Sequence, residues 1–355
     1  MLDNLIRGRI ARAGLLAIGC AAAAPASAAG HFMFMPTFAV VQELQSRDDP
    51  SVDEHQLIGD LFYSGDKDSL RLLAELQIDR HAWDMERLQA GWRFSPEVTL
   101  WFGRYHNPIG YWNTEHHHGH YMETTAERPR IVEFEDEGGV LPIHLAGFEL
   151  QGLQPMGDAS LQYDLGVASG PRVIGGELEP VDVIREPRWN KLAVVGRAAW
   201  RPDAALDSQY GVFAARTRIP VDTPEFKLIE QDLAGVYFLQ DIDRLRLVAE
   251  IFDIHHRLVD GGGLNWPSYW AGYAQAEYQI VPAVWTAFAR HEAISNRLDT
   301  EYLDLFPELP RQREIVGVRW DFYQNQALKL EGIRDKSFND TTFDGIELQW
   351  SALFP

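Results

Sequence analysis

Along most of the chain, apolar residues recur at every second position. Leu70, Leu72, Ala74, Leu76 and Ile78 fall on one side of an extended segment, and Arg71, Glu75, Gln77 and Asp79 fall on the other. Leu88, Ala90, Trp92 and Phe94 oppose Arg87, Gln89 and Arg93 in the same way. The alternation returns at 161–167, 192–200, 316–322 and 346–354. Successive side chains of a strand point to opposite faces, so a period of two predicts strands with one apolar and one polar side. Starts are expected near Thr37, His55, Ser69, Asp84, Val98, Leu141, Leu161, Lys191, Gln209, Lys227, Leu245, Ser268, Val284, Glu314, Leu328 and Phe343.

Two architectures use such strands. A soluble sandwich buries the apolar faces and wets the polar ones. A transmembrane barrel turns the apolar faces to lipid and the charged faces to a wet lumen. Here the apolar faces are built from Ala, Gly and Leu with Trp or Tyr near segment ends, and the polar faces carry full charges at mid-strand. Connection lengths alternate as well: 64–67, 95–97 and 155–158 are tight, whereas 170–190, 259–267 and 295–311 are long. Short periplasmic turns and long external loops belong to membrane barrels. The expected fold class is therefore all-β, a transmembrane antiparallel β-barrel of about 16 strands over residues 29–355, an even count as such barrels require.

One stretch lacks the alternation. Residues 101–142 read WFGRYHNPIGYWNTEHHHGHYMETTAERPRIVEFEDEGGVLP. A connection of this length in a compact fold needs a role. As the third external loop, 106–140 is expected to fold into the barrel and constrict it, because Tyr111, Trp112, Tyr121 and Phe134 would otherwise face water. The expected constriction residues are Glu115, Glu123, Glu127, Glu133, Glu135, Asp136 and Glu137, opposed by Arg128 and Arg130. Arg71, Arg87, Arg93, Arg197 and Arg319 are expected on the lumen wall together with Arg216, Arg246 and Arg290, most of them paired with an acid on the next strand. His116, His117, His118 and His120 are candidate metal ligands, since imidazole suits zinc, copper or nickel. The alternative for them is hydrogen bonding to the barrel wall.

Composition narrows the class further. Arg7, Arg9 and Arg12 precede an apolar run and an Ala26-Ser27-Ala28 cleavage site, which predicts a secretory signal peptide at 1–28. The run is too short to span a bilayer, which takes about 20 residues. Cys20 is the only cysteine, so disulfides and cysteine-metal sites are excluded from the mature chain. Losing three arginines (+3) and Asp3 (−1) moves the net charge from −20 to −22. That excess of acid argues against nucleic acid as a partner. No serine sits in a nucleophile setting and no Gly-rich phosphate loop occurs, so neither catalysis nor a cofactor is expected.

Gly103-Arg104-Tyr105-His106-Asn107-Pro108-Ile109-Gly110 and Thr124-Thr125-Ala126-Glu127-Arg128-Pro129 resemble the porins typified by the phosphate-selective porins O and P. The resemblance implies a sixteen-stranded barrel, a homotrimer, and a third loop that narrows the channel. Phe354 resembles the terminal aromatic through which the barrel-assembly machinery engages such chains, although Pro355 follows it. The phosphate ligands of the family do not carry over, because no lysine lies between Lys67 and Lys191. The expected function is a passive porin for small hydrophilic solutes or ions in a Gram-negative outer membrane, in contact with lipid bilayer and lipopolysaccharide. Acid exceeds base on the loop, so a weakly cation-preferring or mixed pore is expected. The alternatives are a barrel sheath around a periplasmic cytochrome that conducts electrons, and an anion- or phosphate-selective porin.

Overall fold

The computed structural model describes residues 29–44, 53–80, 82–116, 119–184, 190–203, 206–222, 227–259, 268–295, 302–306, 309–338 and 340–355. The expected signal segment lies outside the described residues, as do His117 and His118 and the side chain of Asp136.

The strands are β1 (Ala29–Glu43), β2 (Asp53–Lys67), β3 (Leu70–Ile78), β4 (Trp83–Ser95), β5 (Val98–His106), β6 (His144–Met156), β7 (Ala159–Ser169), β8 (Arg172–Ile174) and β9 (Glu177–Glu179). They continue as β10 (Leu192–Arg201), β11 (Gln209–Pro220), β12 (Leu228–Ile242), β13 (Leu245–Leu258), β14 (Tyr269–Val281), β15 (Trp285–Ile294), β16 (Gln312–Tyr323), β17 (Gln326–Lys336) and β18 (Thr342–Ala352). All but β8 and β9 form one closed antiparallel barrel of sixteen strands, sealed where β1 pairs with β18. Closure removes the free sheet edges that lipid could not hydrogen-bond. β8 and β9 form a separate two-stranded hairpin in the connection between β7 and β10, and Val173 of β8 makes an isolated parallel bridge to Val221 just after β11.

Fifteen barrel strands begin within three residues of the expected positions. β1 begins eight residues earlier than Thr37. Phe32, Met33 and Phe34 are apolar in succession and Pro36 lacks an N–H, so this part of the strand shows no alternation to read. The tight turns seat Asp68, Asp243 and Asn325 at φ 55 to 57°, a left-handed conformation that Asp and Asn tolerate better than most residues.

Burial is inverted relative to a soluble protein. Large apolar side chains such as Phe94 (63%), Val316 (61%) and Val212 (56%) are exposed on the outer surface. Lys329, Glu331, Glu250 and Arg197 are buried on the inner one. Tyr63, Trp92, Tyr163, Trp200, Tyr210, Tyr278, Trp285, Trp320 and Trp350 lie outward near the short-turn ends, as an aromatic girdle does. Trp285 and Trp320 stack across strands at 5.1 Å. No described helix is long and apolar enough to cross a membrane.

Two expectations are corrected. Arg216, assigned above to the lumen, shares its face with Tyr210, Val212 and Ala214; its side chain is 56% exposed on the outer wall and pairs with Asp232. The inner wall is not polar throughout. On β11–β14 Phe213, Ile219, Ile229, Leu233, Val248, Phe252, Ile254 and Tyr269 point inward and are buried, because loop segments cover them.

Candidate functional site

The connection 107–143 contains a single helical turn, Trp112–Glu115, and three short 3-10 turns, His120–Met122, Arg130–Val132 and Glu135–Glu137. An irregular backbone away from water must find partners for its N–H and C=O groups. Here the barrel's inner face supplies them, and the sign of the wall charge matches the backbone group. Wall acids take loop N–H groups. Glu250 Oε1 accepts from Tyr111 N (2.8 Å) and Trp112 N (2.7 Å), Glu292 Oε2 accepts from Arg130 N (2.7 Å), and Glu331 accepts from Ala126 N. Wall bases take loop carbonyls. Lys329 Nζ donates to Thr125 O (2.8 Å) and His120 O, Arg290 donates to the carbonyls of Glu127 and Arg128 (both 3.0 Å), and Arg319 Nη1 donates to those of Tyr121 (2.8 Å) and Glu123 (2.7 Å).

The segment leaves β5, meets β13 at Glu250 and β10 through Glu115, and touches β1 where Gly119 packs on Met35. It then runs past β17, β16 and β15 and returns to β6. Gly110 is required at its first bend: φ is +81° and a Cβ there would stand 2.2 Å from Glu250 Oε2.

A second anchor is apolar. Trp112, Ile131, Val132, Phe134, Val140, Leu141 and Ile143 join one buried cluster with the inward side chains of β11–β14. Val173 and Leu178 of the β8–β9 hairpin and Tyr302, Leu303 and Phe306 of the connection before β16 complete it. Tyr302 Oη also donates to Val140 O at 2.8 Å.

The expected site residues divide into several settings. Glu115 meets Arg201 (3.1 Å) and Arg197 (3.8 Å), and remains partly exposed. Glu123 is buried, and that burial raises its pKa against the pull of Arg128 and Lys329. Burial also works against the charge of Glu127, but Arg313, Arg130 and Arg290 outweigh it and hold this carboxyl below its usual range. Arg313 forms the direct ion pair with Glu127. Arg130 pairs with Glu133 at 3.3 Å, and Arg128 stacks over the Phe134 ring at 3.8 Å. Glu135 does not face the passage. Its Oε2 lies 2.7 Å from His144 Nδ1 and its Oε1 accepts from Ile143 N and His144 N. Glu137 is exposed.

The wall arginines are paired: Arg71 and Arg93 with Asp66 (3.0 and 2.7 Å), Arg87 with Glu75 (3.8 Å), Arg197 with Asp164 (2.7 Å) and Arg319 with Asp321 (2.8 Å). Of the candidate metal ligands, His116 packs on Trp112 at 4.7 Å between ring centres, and His120 Nδ1 lies 3.1 Å from Ala126 O. Burial and the nearby Arg128, Arg246 and Lys329 push the His116 imidazole down to about 3. Among the described residues no three His, Cys, Asp or Glu side chains are grouped as metal ligands.

Several inner residues were not anticipated. Glu250, Glu292, Glu331 and Lys329 were legible as charges at the inward position of an apolar strand. Glu86 was not, because a bulge opposite Glu75 and Leu76 sets it free of the alternation. It accepts from Arg104 Nη2 (2.9 Å) and lies 3.2 Å from His144 Nε2, so Arg104, Glu86, His144 and Glu135 form a buried chain.

Solved structures share this architecture. The outer membrane channel DcaP of Acinetobacter baumannii is 11% identical, with a TM-score of 0.58 over 93% of this chain and 99% of that one. An anion-selective porin from Comamonas acidovorans is 10% identical, with a TM-score of 0.61 over 92% and 100%. The fold is that of outer-membrane porins. OmpF of Salmonella typhi, solved with daunomycin, agrees at 11% identity and a TM-score of 0.60 over 92% and 97%. No protein-family model and no curated protein sequence matches the chain.

Proposed function

We propose that this chain is an outer-membrane porin, a passive diffusion channel for small hydrophilic solutes or ions whose narrowest part is set by the segment 107–143. The observation that carries this reading is the double anchoring of that segment inside a closed sixteen-stranded barrel, by charge-matched backbone hydrogen bonds on one side and an apolar core on the other. A lumen loop of this kind limits passage by steric fit and by the charges it leaves in contact with water. It also counts against the role of sheath for an electron carrier, which needs an unobstructed lumen. A Gram-negative outer membrane, contact with lipopolysaccharide, assembly as a homotrimer and insertion through the barrel-assembly machinery belong to the same proposal.

Selectivity follows from which charges stay in contact with the water of the passage. The wall arginines are matched by acids, Glu115, Glu127 and Glu137 stay partly open to solvent, and the whole chain carries a net charge of −20. Low-dielectric walls limit the screening that would erase such charges in open solution. The pore is weakly cation-preferring or mixed. In a planar bilayer with a salt gradient, the reversal potential is expected on the cation side, moving toward zero in Glu115→Gln/Glu127→Gln/Glu137→Gln. A strongly anion-selective wild type that phosphate blocks would overturn this and restore the specificity of the phosphate-selective porins.

A further inference from the structure

The return of the segment to the wall is closed by ionisable groups that the water path does not use. His144, the first residue of β6, has a carboxylate at each ring nitrogen: Glu135 Oε2 lies 2.7 Å from Nδ1, and Glu86 Oε2 lies 3.2 Å from Nε2. All three side chains are at most 3% exposed. The other oxygen of Glu135 accepts from Ile143 N (2.7 Å) and His144 N (2.8 Å), and Glu86 Oε2 also accepts from Arg104 Nη2 (2.9 Å). Arg104 donates in turn to Val181 O (3.1 Å) in the connection before β10. The chain doubles back just after Glu135: Gly139 N donates to Phe134 O (2.8 Å), and a Cβ on Gly139 would stand 2.2 Å from Glu133 O.

These contacts fix a proton count. A neutral imidazole carries one N–H and can donate to only one carboxylate, so its other nitrogen would set a lone pair against anionic oxygen. Both contacts therefore need one proton more than a neutral imidazole and two carboxylates supply. Glu86 accepts from a guanidinium and Glu135 from two backbone N–H groups, as carboxylates do, so the proton belongs to the imidazole. With it, Arg104, Glu86, His144 and Glu135 sum to zero charge; without it, a net negative charge is left buried. Other titratable side chains border the set. His106 of β5 meets the His144 ring edge-on at 4.9 Å, Asp60 of β2 is close enough to Glu86 for mutual repulsion, and Tyr302 stands near Glu135.

Resting on the porin reading, we infer that His144 is a positioning residue whose extra proton latches the return 134–143 to the wall and thereby holds the passage narrow. Phe134 joins latch and passage: its ring stacks on His144 at 5.7 Å and bears the Arg128 guanidinium at 3.8 Å. Loss of the proton sets Glu135 against a bare ring nitrogen, frees Phe134 and shifts Arg128. The latched set binds the proton more tightly than the opened one, so the latch is lost as the pH rises. The ratio of opened to latched segment then climbs about tenfold per pH unit, the slope of one proton.

Glu135→Gln separates the proton from the shape. Its amide oxygen still accepts from the two N–H groups, and its amide nitrogen donates to Nδ1 of a neutral imidazole whose Nε2–H goes to Glu86, so both contacts survive without the extra proton. In a planar bilayer, the full wild-type chain is expected to pass reversibly to a wider, noisier state as the buffer is made alkaline, at the one-proton slope. Glu135→Gln should hold the narrow state throughout, and His144→Phe should occupy the wider one at every pH. A shared pH profile for the wild type and Glu135→Gln, or a narrow His144→Phe, overturns the inference. Nitrogen NMR of the isotope-labelled barrel reads the proton without conduction. Both His144 ring nitrogens, assigned by the signals that His144→Phe removes, should carry hydrogen in neutral buffer. Two N–H groups in a chain that never conducts would sink the porin reading and leave the protonated latch standing; a single N–H in a conducting chain would do the reverse.

Discussion

The inward faces of β11–β14 and of β15–β18 hold the same segment by different physics. On β11–β14 the contact is a core of the soluble kind, in which Trp112 and Phe134 pack with Phe213, Phe252 and Tyr269. On β15–β18 the contact is polar, and Arg290, Arg319, Lys329 and Glu331 each satisfy backbone groups of 120–128. The first mode is tolerant of detail, since any well-packed apolar side chains would do. The second is exacting: a buried charge that loses its partner is left without solvent or counter-group. The stretch that carries Glu123 and Glu127 is thereby held by the more exacting contact.

Substitutions can break this contrast in order of expected effect. Trp112→Ala removes the largest fully buried side chain of the segment and should cost about 4 kcal/mol of its anchoring, read as loss of amide-exchange protection over 107–143 that is independent of salt. Lys329→Met strips three acceptors of their donor and removes one of the cations near Glu331 and Glu347, leaving Arg290 beside the first and Arg313 beside the second, at about 3 kcal/mol. Its exposed region should be confined to 119–128; equal loss across 107–143 would show that the two anchors are not separate. Thr124→Val, which removes one hydrogen bond to the Glu277 carboxylate, should cost about 2 kcal/mol.

The smallest effect concerns pH. His116 has its pKa lowered from 6.5 to about 3, so between those values an opened segment binds a proton that the packed one does not. Stability of the packed state therefore falls as the pH drops through that window. Protection of 111–116 should decline on acidification in the wild type and less in His116→Phe. An identical decline in both would remove His116 from the account.

How much of this was legible follows from what alternation encodes. Where one face meets lipid and the other charge, as in β3, β7, β16 and β18, position and orientation were readable residue by residue. β11–β14 carry apolar residues on both faces, because the lumen there is filled by protein, and the pattern cannot distinguish a lipid-facing wall from a core-facing one. Arg216 was misplaced by trusting its charge over its parity with Tyr210 and Val212. Glu86 was hidden by a bulge, which shifts the face of a side chain without any mark in composition. The acids of 115–137 were visible as a group, but their separate roles depend on partners that only folding brings in, such as His144 on the next strand for Glu135 and the distant Arg313 of β16 for Glu127.

The central claim is that the segment 107–143 sets the width of the passage. Replacing 114–137 by a short Gly-Ser link and measuring single-channel conductance in a planar bilayer tests it most directly, with heat-modifiable electrophoretic mobility to establish that the barrel still forms. A severalfold rise in conductance with the barrel intact is the predicted result; an intact barrel with unchanged conductance would contradict the account.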